Sequence, residues 1–106
     1  MNKYISLING KFQNTISVLD RGLAYGDGFF ETMLWDSYGK NEEKIGVEFW
    51  NRHLKRINKG CKLMKINIPV EKEILNQRNK ILLKSKANGI NSGLLKLIIT
   101  RGVGGR

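Results

Sequence analysis

The chain has 106 residues, the size of one small domain, and its single cysteine, Cys61, excludes an internal disulfide bond. It contains no apolar run of the length that a signal peptide or a membrane-spanning helix requires, so we expect a cytoplasmic protein without a membrane partner. The formal net charge is +10, but the basic residues are scattered from Lys3 to Arg106 without a recognition motif, which argues against nucleic acid as a partner.

The first third of the chain predicts a β-hairpin and then a glycine-rich bend. Asn9 and Gly10, the strongest short-range hairpin signal, separate two short strands predicted over residues 4–8 and 11–13. The bend that follows contains Gly22, Gly26 and Gly28. Glycine allows a positive φ angle or the close approach of a ligand to the backbone, so this segment is typical either of an ordinary turn or of one wall of a pocket.

Residues 29–36 predict the longest strand, rich in aromatic and apolar side chains. Phe29, Glu31, Met33 and Trp35 would lie on one face, and Phe30, Thr32 and Leu34 on the other. Because both faces carry large apolar groups, we expect this strand to be central in its sheet and buried on both faces. Glu31 then lies in an apolar row and needs a cationic partner, since a buried unpaired carboxylate is costly. Arg21 and Arg101 are the candidates, and the pairing would be structural.

Two helices are predicted after a loop over residues 37–43, which leaves the pairing of Lys44 and Ile45 open. From about Val47 the apolar residues follow one helical face, and the helix ends before Pro69. Those residues are Val47, Trp50, Leu54, Ile57, Cys61 and Met64. A second helix begins near Glu71, ends at Asn88 and Gly89, and would bury Ile74, Ile81, Leu82 and, less clearly, Leu75.

A last strand is predicted over residues 94–100, where nearly every position is apolar, as in a strand covered on both faces. No internal repeat or linker divides the chain, so residues 1–106 are predicted to form one domain. The predicted fold class is α+β: a mostly antiparallel sheet with two helices packed on one face.

Three motifs carry a resemblance. Residues 20–32 read Asp-Arg-Gly-Leu-Ala-Tyr-Gly-Asp-Gly-Phe-Phe-Glu-Thr, residues 53–57 read His-Leu-Lys-Arg-Ile, and residues 100–106 read Thr-Arg-Gly-Val-Gly-Gly-Arg. In this order and spacing they resemble the class IV aminotransferase family, the pyridoxal-phosphate enzymes of fold type IV. The third motif is most similar to the aminodeoxychorismate lyase branch of that family.

The resemblance implies binding roles for four residues. Arg56 holds the position of an arginine that binds the phosphate of pyridoxal 5'-phosphate, and a guanidinium fork suits phosphate oxygens. On a helical wheel, however, Arg56 shares its face with Arg52, Lys55 and Lys59, which without the motif favours a solvated basic surface. Tyr25 and Phe30 match positions that line the substrate pocket, with a core aromatic as the alternative for Phe30. Arg106 matches an arginine that holds a substrate carboxylate.

Other motif residues are interpreted as structural. His53 borders the apolar helical face, where a lone histidine is more often packed and hydrogen-bonded than catalytic. Arg101 directly follows the last strand and is interpreted as a structural ion-pair partner. No residue of the chain is assigned a catalytic role, and no metal site is expected.

The resemblance further implies that the chain is the small N-terminal domain of a longer enzyme. The lysine that forms the Schiff base would lie in a second domain that this chain does not contain, so we expect the chain alone to be inactive. The complete enzyme would be a homodimer that converts 4-amino-4-deoxychorismate to 4-aminobenzoate and pyruvate in folate biosynthesis. The alternatives are a D-amino-acid or branched-chain aminotransferase of the same family and, outside it, a non-catalytic basic nucleic-acid-binding module.

Overall fold

A computed structural model describes residues 4–104 and shows two antiparallel sheets with helices beside them. The strands are β1 (Leu7–Ile8), β2 (Lys11–Phe12), β3 (Gly28–Tyr38), β4 (Lys44–Val47) and β5 (Ser92–Thr100). The helices are α1 (Arg21–Tyr25), α2 (Trp50–Met64) and α3 (Glu71–Ala87), with a single 3-10 turn at Lys40–Glu42. The main sheet has the order β4-β3-β5, and β1 pairs only with β2. This architecture confirms the predicted α+β class.

The N-terminal hairpin forms where the turn signal predicts it. Asn9 and Gly10 have φ angles of 50° and 81°, and two successive positive φ angles define the turn type whose twist suits a hairpin. The paired strands are shorter than predicted, with two residues each. The turn lies against α3, where the Lys80 ammonium donates a 2.6 Å hydrogen bond to the carbonyl of Gly10.

The glycine-rich bend contains a short helix, which the sequence analysis did not predict. Asp20 caps α1 by accepting a 2.8 Å hydrogen bond from the amide of Gly22, and Gly26 ends it in the left-handed conformation at φ 66°. Gly28 serves close packing, because a Cβ atom there would lie 2.5 Å from the carbonyl oxygen of Ile99. The absence of a side chain at this glycine therefore allows β3 and β5 to pack closely.

The central position of β3 is confirmed, but the expectation that its two faces are both buried is wrong. On the helix-covered face Met33 and Trp35 are buried, whereas Phe30 and Leu34 on the outer face are 59% and 55% exposed. The same holds for β5, whose residue Ile98 is 64% exposed. Within residues 4–104, α2 and α3 cover one face only, and the apolar outer face explains why the sequence pattern indicated burial on both.

Two adjoining clusters form the core between the sheet and the helices. The first is Met33, Trp35, Leu82 and Leu95; the second is Ile57, Cys61 and Ile74. The helical face predicted from the sequence therefore does point inward, although Val47 belongs to β4 and α2 begins only at Trp50. Lys44 and Ile45, whose pairing was left open, pair with Tyr38 and Ser37. Among the described helices, none combines the length and apolar character that crossing a membrane would need.

Candidate functional site

The side chain of Glu31 joins the central strand to helix α2. Its Oε2 atom lies 2.6 Å from Nδ1 of His53, and Nε of Arg56 donates to both carboxylate oxygens at 3.1 and 3.0 Å. His53 and Arg56 are three residues apart on α2 and therefore lie on the same side of the helix. The expected partners of Glu31, Arg21 and Arg101, are wrong: α2 lies over this part of β3, and both of those arginines pair elsewhere.

The environment of Glu31 favours its ionised form. Burial raises the pKa of this carboxyl, but the hydrogen bonds from His53 and Arg56 and the charge of Arg56 outweigh that effect and bring the pKa below its usual value. The Glu31 and His53 side chains are only 15% and 8% exposed, whereas that of Arg56 is 56% exposed. The largely buried Glu31 and His53 thus hold the Nε edge of the Arg56 guanidinium, while much of the Arg56 side chain remains exposed to solvent.

A second carboxylate, Asp27, is bound by Arg21 and Arg101 at the start of β3. Nε of Arg21 donates to it at 2.9 Å, and Arg101 donates through Nε at 2.6 Å and through a terminal nitrogen at 3.1 Å. Arg101 also donates to the carbonyl oxygens of Met64 and Lys65 at 2.6 and 2.9 Å. The prediction that Arg101 is a structural ion-pair partner is consistent with these bonds, which tie the end of β5 to the end of α2.

Hydrogen bonds from Arg101 and then Arg21 are the largest effects on Asp27, and they hold the pKa of its carboxyl below the usual value. The same contact raises the pKa of Arg101. Sequence reasoning missed Asp27 as a partner. The available signal was the position of Asp27 between Gly26 and Gly28, at the start of the strand that pairs with β5. Whether Arg101 meets Asp27 or Glu31, however, depends on the register of β3 with β5.

Tyr25 and Phe30, the residues matched to a substrate pocket, are exposed. Tyr25 is 71% exposed, and the guanidinium of Arg21 lies 4.6 Å from the centre of its ring. Phe30 lies on the outer face of the sheet, with the ammonium of Lys96 4.3 Å from its ring centre. The alternative of a core aromatic is therefore wrong for Phe30. Because Phe30 and Glu31 are neighbours in β3, their side chains lie on opposite faces of the sheet. Phe30 and Arg56, which binds Glu31, are therefore on opposite sides of the sheet.

Within residues 4–104, no strand pairs with β3 before Trp35 on the side that β4 occupies further along. The pairing of β3 with β4 begins at Trp35, and the amide of Glu48 donates to the carbonyl of Leu34 just before it. Beside this part of β3 is a groove of about 210 Å³ lined by Thr32, Leu34, Glu48, Phe49 and His53. A wider depression of about 600 Å³ lies further along β3 near Asp36 and Ser92, and neither hollow is lined by Arg56, Tyr25 or Phe30.

The last predicted site residue, Arg106, lies outside the described residues. The segment leading to it bends at Gly102, with a φ angle of 84°, and Val103 forms a bridge to Asp20. Over residues 4–104 there is no group of three or more histidine, cysteine, aspartate or glutamate side chains that could hold a metal ion.

Known proteins are similar to this chain in both sequence and fold. Residues 28–106 match the model of the family described as amino-transferase class IV. A provisionally named branched-chain-amino-acid aminotransferase of Methanocaldococcus jannaschii is 34% identical over 102 residues, or 92% of this chain. Aminodeoxychorismate lyase of Vibrio harveyi is 30% identical over 99 residues, or 93% of this chain. The chain spans 32% of the length of each of these curated relatives.

Two solved structures resemble the described fold. The 4-amino-4-deoxychorismate lyase of Pseudomonas aeruginosa superimposes on 92% of this chain with a TM-score of 0.62 and 38% sequence identity, and the match covers 32% of that chain. A hypothetical aminotransferase from Mycobacterium tuberculosis, solved in its PLP-bound form, superimposes on 96% of this chain and 35% of its own, with a TM-score of 0.68 and 23% identity. The family match spans more than half of the chain, and the chain therefore belongs to the class IV aminotransferase family.

Proposed function

We propose that this chain is the small N-terminal domain of a pyridoxal-phosphate-dependent 4-amino-4-deoxychorismate lyase. The complete enzyme would convert 4-amino-4-deoxychorismate to 4-aminobenzoate and pyruvate, a step of folate biosynthesis. The observation that carries this choice is the 38% identity to the Pseudomonas aeruginosa lyase over 92% of the chain. That the chain spans 32% of the lyase structure supports its being one domain of a larger protein, with the lysine-bearing domain elsewhere.

The residues present fit a phosphate group at Arg56. Its Nε atom is bound to Glu31, while its side chain is 56% exposed, so the terminal nitrogens can face a ligand. A guanidinium fork can donate two parallel hydrogen bonds to phosphate oxygens. Arg52 and Lys55, both exposed on the same helix, would add positive charge nearby. Arg56 would thus hold the cofactor by its phosphate.

The remaining assigned residues would act on the substrate. Bound pyridoxal phosphate would supply the electron sink for the elimination. Arg106 would hold a substrate carboxylate, and Tyr25 and Phe30, whose rings are exposed, would contact the ring of the substrate or the pocket of a partner subunit. A lysine outside this chain would move the protons. We also propose a homodimer and, since the free Cys61 is the single cysteine, a reducing cytoplasm as its compartment.

A branched-chain aminotransferase is the second candidate, favoured by the 34% identity to the Methanocaldococcus jannaschii protein. A D-amino-acid aminotransferase is the further possibility within the family. Because the family consists of enzymes, we do not retain the nucleic-acid-binding module.

The test is to assay the full-length protein that carries this domain with each substrate. We expect 4-amino-4-deoxychorismate to yield equal amounts of pyruvate and 4-aminobenzoate, and the 106-residue chain alone to yield neither. Arg106→Ala should lower kcat/KM for that substrate about 10- to 100-fold, the range for loss of a charged contact, with the cofactor still bound. Efficient amino transfer from leucine or D-alanine, with 4-amino-4-deoxychorismate untouched, would establish the aminotransferase instead.

A further inference from the structure

The contacts of His53 fix the position of a proton in the Glu31 cluster. Nδ1 of an imidazole has one in-plane site, which holds either a hydrogen or a lone pair. With a lone pair there, Nδ1 would face an ionised carboxylate oxygen at 2.6 Å, which is repulsive, so Nδ1 carries the hydrogen and donates it to Glu31. His53 therefore acts as a donor within the protein.

This proton decides what the terminal nitrogens of Arg56 can bind. One of them lies 3.0 Å from Nδ1 of His53, but arginine only donates hydrogen bonds and a protonated Nδ1 cannot accept one. Among the described residues, the carboxylate of Glu31 is then the acceptor that Arg56 reaches, and it uses the Nε hydrogen. The hydrogens of the two terminal nitrogens that are not directed at His53 stay available to a ligand.

We propose that Glu31 and His53 are positioning residues that hold Arg56 ready for a phosphate. His53 fixes the carboxylate, the carboxylate fixes the Nε edge of the guanidinium, and the two terminal nitrogens are presented together as a fork. Arginine has a long, flexible side chain, so ordering it before the ligand arrives lowers the entropic cost of binding. The inference rests on the proposed role of Arg56 in binding the cofactor phosphate.

The experiment compares two ligands that differ only in the phosphate. Apoprotein of the full-length enzyme is titrated with pyridoxal phosphate and with pyridoxal, and the ratio of the two Kd values measures the contribution of the phosphate. We expect Arg56→Ala to reduce this ratio at least about tenfold, as expected for loss of a charged hydrogen bond. Glu31→Gln should reduce it about three- to tenfold, a smaller part of the same contribution.

Two further variants isolate the mechanism. Adding Glu31→Gln to Arg56→Ala should change the ratio no further, because Glu31 acts through Arg56. Asp27→Asn is the matched control, since it also removes a carboxylate charge beside two basic side chains, and it should leave the ratio unchanged.

The possible failures are distinguishable. An unchanged ratio in Arg56→Ala would overturn the proposed phosphate site itself. A reduced ratio in Arg56→Ala with no change in Glu31→Gln would overturn the positioning role alone, as would an equal weakening of both ligands by Glu31→Gln.

A measurement on the unaltered chain serves if Glu31→Gln does not fold. His53 is the single histidine, so its ring nitrogens can be read directly by ¹⁵N NMR of the 106-residue chain. We expect a proton on Nδ1. A neutral ring protonated only on Nε2 would overturn the inference.

Discussion

Two carboxylates, Asp27 just before β3 and Glu31 within it, are each held by two basic side chains, yet the arginines that hold them differ in which nitrogens they leave free. Asp27 is bound by Arg21 and Arg101, and all three guanidinium nitrogens of Arg101 donate within the protein. Glu31 is bound by His53 and Arg56, but Arg56 donates only its Nε hydrogen to the carboxylate. Arg101 is therefore saturated, in the sense that every guanidinium nitrogen is bonded inside the protein, whereas Arg56 is not. Arg21, the second cation at Asp27, donates to it through Nε alone.

This difference distinguishes Arg101 from Arg56 more sharply than residue type or exposure does. Arg101 is 39% exposed and Arg56 is 56% exposed, so exposure alone would place them together. The number of donors left after the internal hydrogen bonds is what distinguishes them. An arginine with a free fork is able to bind an anion, whereas a saturated one must first break bonds of the fold.

The largest expected effect comes from disturbing the backbone beside Asp27, the carboxylate that Arg101 binds. Gly28→Ala would place a Cβ atom 2.5 Å from the carbonyl of Ile99, next to Asp27, and would push β3 away from β5. We expect a loss of about 2–3 kcal/mol, the upper range for overpacking, and a fall in Tm of roughly 10 °C or more for a domain of this size.

Gly93→Ala is the matched control for this substitution. Gly93 lies in β5 of the same sheet, and a Cβ there would meet Nε1 of Trp35 at 3.5 Å, an ordinary contact. Thermal unfolding followed by circular dichroism should show little change for Gly93→Ala. A similar loss in both variants would mean that alanine is simply unfavourable in this sheet, not that Gly28 is required for close approach.

The two arginines can be compared directly by truncation. Arg101→Ala removes bonds to Asp27 and to the carbonyls at the end of α2, so we expect Tm to fall by roughly 5 °C. Arg56→Ala removes a half-exposed side chain whose partner keeps its contact with His53, and Tm should fall by about 2 °C or less. Differential scanning fluorimetry of the two variants measures both values. Equal losses would contradict the distinction between a saturated and an unsaturated arginine.

The sequence predicted those features of the fold that depend on local chemistry. Asn9 and Gly10 specify the hairpin through their φ angles, and the apolar spacing around Ile57 and Cys61 specifies which face of α2 is buried. His53 and Arg56 could be placed on one side of a helix from their spacing alone.

The sequence could not predict which cation meets which carboxylate. Glu31 and Arg56 are 25 positions apart, and Asp27 and Arg101 are 74 apart, so their contacts depend on how α2 lies over β3 and on the register of β3 with β5. The prediction that both faces of β3 are buried was wrong for a related reason. An apolar row around Leu34 indicates a surface that avoids water, but it does not identify what covers that surface.

Acid should weaken both clusters. The pKa values of Asp27 and Glu31 lie below their usual values of 3.8 and 4.5, so each carboxylate stabilises the fold above the usual pKa, and this contribution is lost as the pH falls through the lowered one. We expect the Tm of the chain to fall below about pH 4, and the variant Asp27→Asn/Glu31→Gln to show a flatter profile. Asp36→Asn, which removes an exposed carboxylate from the same strand, should keep the original slope. An unchanged slope in the double variant would contradict the contribution of both clusters.

A small effect on stability is expected on the outer face of β3, where the exposed Phe30 can be compared with its neighbour Phe29 on the helix-covered face. Phe29 packs against the cluster of Ile57, Cys61 and Ile74, whereas Phe30 is 59% exposed and contacts Lys96 through its ring. An exposed cation–π contact contributes about 0.5–1 kcal/mol, so Phe30→Ala should lower Tm by only a few degrees and Phe29→Ala by clearly more.

In the full-length protein we expect the opposite order for the effect on KM. Phe30→Ala should raise KM for 4-amino-4-deoxychorismate more than Phe29→Ala does, because the exposed ring of Phe30 is free to contact a ligand. Thermal unfolding and steady-state kinetics of the two variants test this together. If Phe30→Ala leaves KM unchanged, the exposed ring is not part of the substrate pocket, and the outer face of β3 serves only as a surface that another part of the protein covers.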